Sequence, residues 1–247
     1  MNILRVEGLT KRFGGLEALG GVDLSIAKGD FRAIIGPNGA GKSTFFNTIT
    51  GLLRPDAGRV VFEGRDVTGQ PPHLLARHGV GRTFQITSVF HDLNALENVQ
   101  VALLAHARQS WSAWPKAGAL HAARARELLA LVGLSTSAGR IAGTLAHGDQ
   151  KRLELAIALA GEPRLLLLDE PTAGMAAQER LESIRLVHRV ARELGLSCVF
   201  TEHDMAVVFA VATHITVLHQ GRVLAEGTPA EVRSRREVQQ VYLGEAA

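Results

Sequence analysis

One run of nine residues constrains this chain more than any other. Gly36, Pro37, Asn38, Gly39, Ala40, Gly41, Lys42, Ser43 and Thr44 follow the pattern G-x-x-x-x-G-K-[ST]. A short apolar run at 31–35 precedes it, and a helical pattern over 43–51 follows and stops at a glycine. Glycines let backbone N–H groups turn inward and cradle phosphate oxygens. The start of the helix adds the positive end of its dipole. In such a loop the lysine, Lys42, reaches the β and γ phosphates, and the hydroxyl of Ser43 ligates Mg²⁺. The sequence order strand, glycine-rich loop, helix belongs to an α/β fold with a mainly parallel sheet.

A second segment supplies what a phosphate loop needs. Leu165, Leu166, Leu167 and Leu168 form an apolar run with the length of a buried strand, and it ends in Asp169 and Glu170. Such a strand delivers Asp169 to the Mg²⁺ beside the loop. Glu170, one residue on, is placed to polarise an attacking water as general base. The expected ligands are therefore ATP and Mg²⁺.

Around these two segments the pattern changes twice. Residues 3–35 read as strands: 3–8 and 22–26 alternate, 31–35 is apolar, and turns at Gly14-Gly15 and 28–30 separate them. Residues 60–62 read as another strand, followed by a Pro71-Pro72 breaker. From Leu93 to Ala160 the pattern is helical, with candidate helices at 98–108, 120–131 and 150–160. Strands return at 165–168 and 198–201. The helix between them carries Leu181, Ile184, Val187, Ala191 and Leu194 near one face. A hairpin at 215–218 and 222–225 turns on Gln220-Gly221, and two short helices are expected to close the chain. The organisation read from this is one domain. Its core is 1–88 and 161–230, with an inserted helical subdomain at 89–160 and a helical tail at 231–247.

Composition narrows the function. Apolar residues make up 46% of 247, which is globular rather than disordered. A net charge of +3 with scattered arginines gives no nucleic-acid arm, and no nucleic-acid partner is expected. Cys198 is the only cysteine, which excludes an internal disulfide and a cysteine-rich metal site and fits a reducing compartment. No stretch approaches the ~18 apolar residues of a spanning helix.

With these motifs in order, the chain resembles the nucleotide-binding subunit of an ABC transporter over essentially its whole length. That resemblance implies further roles. Phe13 stands where an aromatic stacks on adenine. Gln85, in Arg82-Thr83-Phe84-Gln85, matches the glutamine that joins the Mg²⁺ and water site to the membrane partner. Ala146, His147, Gly148, Asp149 and Gln150, after Leu145, resemble the family signature, which caps the ATP held by the opposite subunit. His203, in Thr201-Glu202-His203-Asp204, matches the switch histidine that contacts the γ-phosphate. The implied catalytic set is Lys42, Gln85, Glu170 and His203, and the implied metal set is Ser43, Gln85 and Asp169. Two subunits would sandwich two ATP molecules head to tail, as a homodimer or a heterodimer. Two permease subunits and an external binding protein would complete a system peripheral to the cytoplasmic face of the plasma membrane.

Two departures stand out. The common signature has Ser where this chain has Ala146. The loop after Glu170 usually carries an Asp, yet here it reads Ala173-Gly174-Met175-Ala176-Ala177. The finer resemblance is to the larger ATPase of branched-chain amino-acid importers, with urea-type importers and lipopolysaccharide exporters sharing several features. Soluble ABC ATPases of ribosomes or DNA carry a second nucleotide-binding domain, a coiled-coil insert or metal clusters, and the sequence has none. A guanine-reading Asn-Lys-x-Asp motif is also absent.

Overall fold

The computed structural model describes residues 1–83, 89–107 and 120–243, with side chains as far as 241. Two sheets lie in it. The first is antiparallel: β1 (Asn2–Phe13) and β2 (Leu16–Ala27) form a hairpin on the Gly14-Gly15 turn. Beside β1 runs β4 (Ala57–Phe62), and a short β5 (Arg65–Asp66) closes the edge.

The second sheet has the order β10-β9-β3-β8-β7-β6. Its members are β3 (Phe31–Ile35), β6 (Val80–Thr83), β7 (Leu165–Asp169), β8 (Ser197–Thr201), β9 (His214–His219) and β10 (Arg222–Gly227). All neighbours pair in parallel except the terminal hairpin of β9 and β10. Every residue of β3, β7 and β8 is buried, as expected for parallel strands covered on both faces.

Successive side chains on these strands point to opposite faces. Leu165 and Leu167 join the phosphate-loop side, with Phe45, Phe46, Val60 and Phe62. Leu166 and Leu168 join the other core, with Leu128, Leu153, Ile184 and Val208. One sheet thus carries two separate apolar cores. Each fully buried leucine contributes about 1.5–3 kcal/mol relative to exposure.

Helix α1 (Lys42–Ile49) follows the phosphate loop. The middle of the chain supplies α3 (Ala95–His106), α4 (Ala122–Leu131) and α5 (His147–Leu159). Asn94 caps α3 in a reciprocal box with Glu97. Buried Asn98 ties the preceding loop down, bonding Phe90 through both its N–H and C=O. Helix α6 (Ala177–Glu193) covers β7 and β8 with Ile184, Val187 and Ala191. Leu194, expected on that face, is 39% exposed. It is the residue that ends the helix, and the chain turns away at Gly195 with φ +65°.

Two helices and two strands go beyond the sequence reading. Pro71-Pro72 does not simply break the chain: Pro72 opens α2 (Pro72–Arg77), where its missing N–H costs nothing. Helix α7 (Met205–Val211) begins at Asp204, whose side chain caps it. Strands β5 and β6 are the other additions. The chain closes with α8 (Pro229–Ser234) and α9 (Arg236–Leu243), the two short helices expected there. Among the described residues no helix is long and apolar enough to cross a membrane.

Candidate active site

The site lies at the carboxyl ends of the parallel strands, where open α/β sheets bind ligands. The loop 36–44 leaves β3 and enters α1. Gly41 sits at the helix start with φ +101°, and a Cβ there would lie 2.7 Å from the Ala18 carbonyl. Only glycine fits that position. The β9–β10 turn braces the loop from outside, since the Gly221 N–H donates to the Ala40 carbonyl at 3.0 Å. The Lys42 ammonium curls over the loop and donates to the carbonyls of Gly36 (2.6 Å) and Pro37 (3.0 Å). Burial pushes its pKa down, while the nearby charges of Glu170 and Asp169 push it back up in part.

Strand β7 brings the two acids. Asp169 pairs in register with Thr201 of the neighbouring β8. The Thr201 hydroxyl donates to Asp169 Oδ1 at 2.8 Å and accepts the Glu170 N–H at 3.0 Å. One buried hydroxyl therefore fixes the side chain of the first acid and the backbone of the second. Glu170 has φ +48°, a left-handed conformation that an ordinary residue holds only under constraint. Its carboxylate Oε1 accepts from His203 Nε2 at 2.6 Å. Arg82 spans Thr50 (2.8 Å) at the end of α1 and Asp169 Oδ2 (3.4 Å).

The stretch 171–175, after Glu170, is held from several sides. The N–H (3.2 Å) and hydroxyl of Thr172 both donate to Glu202 Oε1, and the His203 N–H donates to Glu202 Oε2 at 3.2 Å. Arg180 donates to the Met175 carbonyl (2.9 Å) and to Asp204 (3.0 Å). Glu202, only 5% exposed, thus joins the loop after the acids to the histidine.

A cleft of about 450 Å³ gathers these parts. The loop residues from Asn38 to Thr44 line it, together with Phe13, Leu16, Glu170, His203 and Gln220. Phe13 ends β1 at the rim, 46% exposed, with the Lys11 ammonium 5.6 Å from its ring centre. The exposed part of the ring is of a kind that can stack on a flat ring. Phe13, the phosphate loop, Glu170 and His203 thus line one cleft.

The signature residues 146–150 do not line this cleft. They form the start of α5, which is a correction in detail: His147 and Gly148 lie inside the helix rather than ahead of it, with Ala146 at the N-cap. Ala146 offers no side-chain cap. The first N–H groups of the helix therefore lack a side-chain partner from that residue, and a Cβ built on Gly148 would meet nothing within 4 Å. Gln150 donates to the Ala142 carbonyl at 3.2 Å, and Asp149 pairs with Arg152 at 3.7 Å. Gln85 lies outside the described residues. Sequence reasoning missed Thr201, Glu202, Thr172 and Arg82, though Thr201 and Arg82 sit at strand ends where the parallel sheet presents its site.

A glycine-rich phosphate loop on a parallel sheet, facing a strand that ends Asp-Glu, defines a P-loop nucleoside triphosphatase. Residues 19–173 match the family model described as ABC transporter, and 222–247 match one described as branched-chain amino acid ATP-binding cassette transporter. The high-affinity branched-chain amino acid transport ATP-binding protein BraF of Pseudomonas aeruginosa is 41% identical, over 99% of this chain and 98% of its own length. LivG of Escherichia coli, which carries the same description, is 37% identical over the same shares. A nucleotide-free ATP-binding cassette from an ABC transporter matches with a TM-score of 0.86 at 33% identity, covering 98% of this chain and 99% of that one. A cassette in a dimeric post-hydrolysis state with ADP and Pi gives 0.76 at 29% identity, covering 91% and 98%. The chain belongs to the ABC transporter family, as an ATP-binding subunit that hydrolyses ATP to drive transport.

Proposed function

We propose that this chain hydrolyses Mg·ATP in the 36–44 cleft to power import of branched-chain or closely related amino acids. The observation that carries the chemistry is the His203–Glu170 hydrogen bond at 2.6 Å on the wall facing the phosphate loop. Glu170 acts as general base on the attacking water. His203 holds that carboxylate and faces the γ-phosphate. Lys42 exchanges its carbonyl partners for β and γ oxygens. Phe13 stacks on the adenine.

The residues fit magnesium. Mg²⁺ prefers one or two protein oxygens, with phosphates and water completing the octahedron. Ser43, at the start of α1, and Asp169, at the end of β7, are a hydroxyl and a carboxylate of that kind. Thr201 already orients the carboxylate. Gln85 is the third candidate by resemblance. The ion would neutralise charge that develops on the phosphates.

The helix start at Ala146, His147, Gly148, Asp149 and Gln150 lies outside the chain's own cleft. It is read as the cap on ATP held by a second ATPase subunit. The inserted subdomain, expected over 89–160, then moves as the part that reports closure to two permease subunits, with an external binding protein delivering the solute. The working position is peripheral, at the cytoplasmic face of the membrane. The solute class is supported by the match over 222–247 and by the names of the relatives.

Uptake of labelled leucine by cells carrying Lys42→Ala tests the whole reading. High-affinity uptake is expected to vanish. Uptake at the wild-type level, with no other importer present, would sink the proposed solute class.

A further inference from the structure

His147 belongs to the signature, yet its ring points back into its own subunit. Its Nε2 lies 3.1 Å from the Ala173 carbonyl and donates to it. A Cβ built on Gly174 would lie 3.1 Å from the same nitrogen, so the ring rests against the glycine. Gly174 has φ +80°, the left-handed region that favours glycine. This is the loop where the family's usual Asp is missing.

That contact completes a chain of bonded groups. The Ala173 N–H donates to the Glu170 carbonyl at 3.1 Å. Next to Ala173, Thr172 bonds Glu202, which also takes the His203 N–H. Met175, on the other side of Gly174, is pinned by Arg180, which also holds Asp204. Among the described residues, the other side-chain hydrogen bonds to 171–175 come from Glu202, just after β8, and from Arg180 of α6. His147 brings in the helix that starts with the signature.

We infer that His147 is a positioning residue that couples the nucleotide facing the signature of this subunit to the subunit's own Glu170–His203 pair. The inference rests on the head-to-tail arrangement proposed above. When the start of α5 shifts onto a phosphate, the imidazole carries the Ala173 carbonyl with it. The turn at Glu170, held at φ +48° by its surroundings, follows. The imidazole thus supplies a link where an aspartate is lacking. A coupling claim of this kind needs an energetic test, not only adjacency.

The test is steady-state ATP hydrolysis by the assembled transporter carrying His147→Phe or His147→Gln, alongside nucleotide affinity from a fluorescent ATP analogue. His147→Phe keeps the ring and loses the donor. It is expected to lower kcat about tenfold, the loss that one hydrogen bond made productive only at the transition state carries. Its KM and nucleotide affinity should stay within about twofold, and the Hill coefficient should fall toward one. His147→Gln, whose amide can donate to the carbonyl, should recover most of the lost turnover. Gly174→Ala should mimic His147→Phe, and the double variant should be no worse than either alone. An unchanged kcat and Hill coefficient in His147→Phe would overturn the coupling. So would a loss of nucleotide affinity that Gln fails to rescue, which would make His147 a direct nucleotide contact. A wild-type chain that binds no ATP would instead remove the functional reading on which the inference stands.

Discussion

The two ends of the parallel sheet hold their charges in opposite ways. At the carboxyl end, Lys42 is desolvated, Glu170 is held in a left-handed conformation, and both face an open cleft. At the amino end, charge is buried and matched. Asp30 bonds Arg32 (3.0 Å), the Thr213 hydroxyl and His214 Nδ1 (2.8 Å), while Arg32 also meets Glu226 and Thr216 (3.2 Å). The side chains of Asp30 and Arg32 are 2% and 4% exposed. One cluster is left unfinished for a substrate. The other is complete and serves the fold, tying β3, β9 and β10 together.

Substitutions should separate the two ends. The largest effect is expected for Glu170→Gln, which should bind ATP and lose on the order of a thousandfold in turnover. Its denaturation midpoint should move little. Turnover near wild type would remove Glu170 as base. Next comes Asp30→Asn, which leaves Arg32 short of a buried partner. About 3 kcal/mol of unfolding free energy should go, with kcat below the melting range nearly intact; urea titration and ATPase assays read both. A strong kcat loss without destabilisation would break the contrast between the ends.

Thr201→Val should fall between them. It removes a donor from one Asp169 oxygen and an acceptor from the Glu170 N–H, so about 1–3 kcal/mol of stability and about tenfold in turnover should go together. The smallest effect concerns acid. Burial pushes the Asp30 carboxyl up, but Thr213, His214 and Arg32 outweigh it and hold it below the usual carboxylate range. A carboxyl lowered in the folded state stabilises above its unfolded pKa of about 3.9, and that contribution fades as pH falls through the folded value. Wild type should therefore lose stability below about pH 4 more steeply than Asp30→Asn; parallel curves would deny Asp30 that role.

Much of the carboxyl end was legible in the sequence. The phosphate loop and the Leu-rich strand ending Asp169-Glu170 are contiguous, so spacing alone reveals them. The hairpin on Gln220-Gly221 and the closing helices follow from equally local signals. Thr201 and Glu202 were quoted only as neighbours of His203. A single hydroxyl acquires its meaning from strand register, and only the pairing of β7 with β8 sets Thr201 against Asp169. Helix α2 was hidden because a proline pair reads as a stop, although a proline also starts helices. The start of α5 was read at 150, three residues late, because an alanine N-cap carries no capping side chain to mark the boundary. The amino-end network went unread altogether. Its members come from residues 30 to 226, and no local pattern joins them.

The alternation along β7 has a consequence for how this protein tolerates change. Leu165 and Leu167 touch the layer that carries the phosphate loop, while Leu166 and Leu168 touch the layer that carries the helices. Chain neighbours there answer to different constituencies. A pair of adjacent substitutions on this strand should behave as two independent events, whereas a pair two apart should compete for the same space.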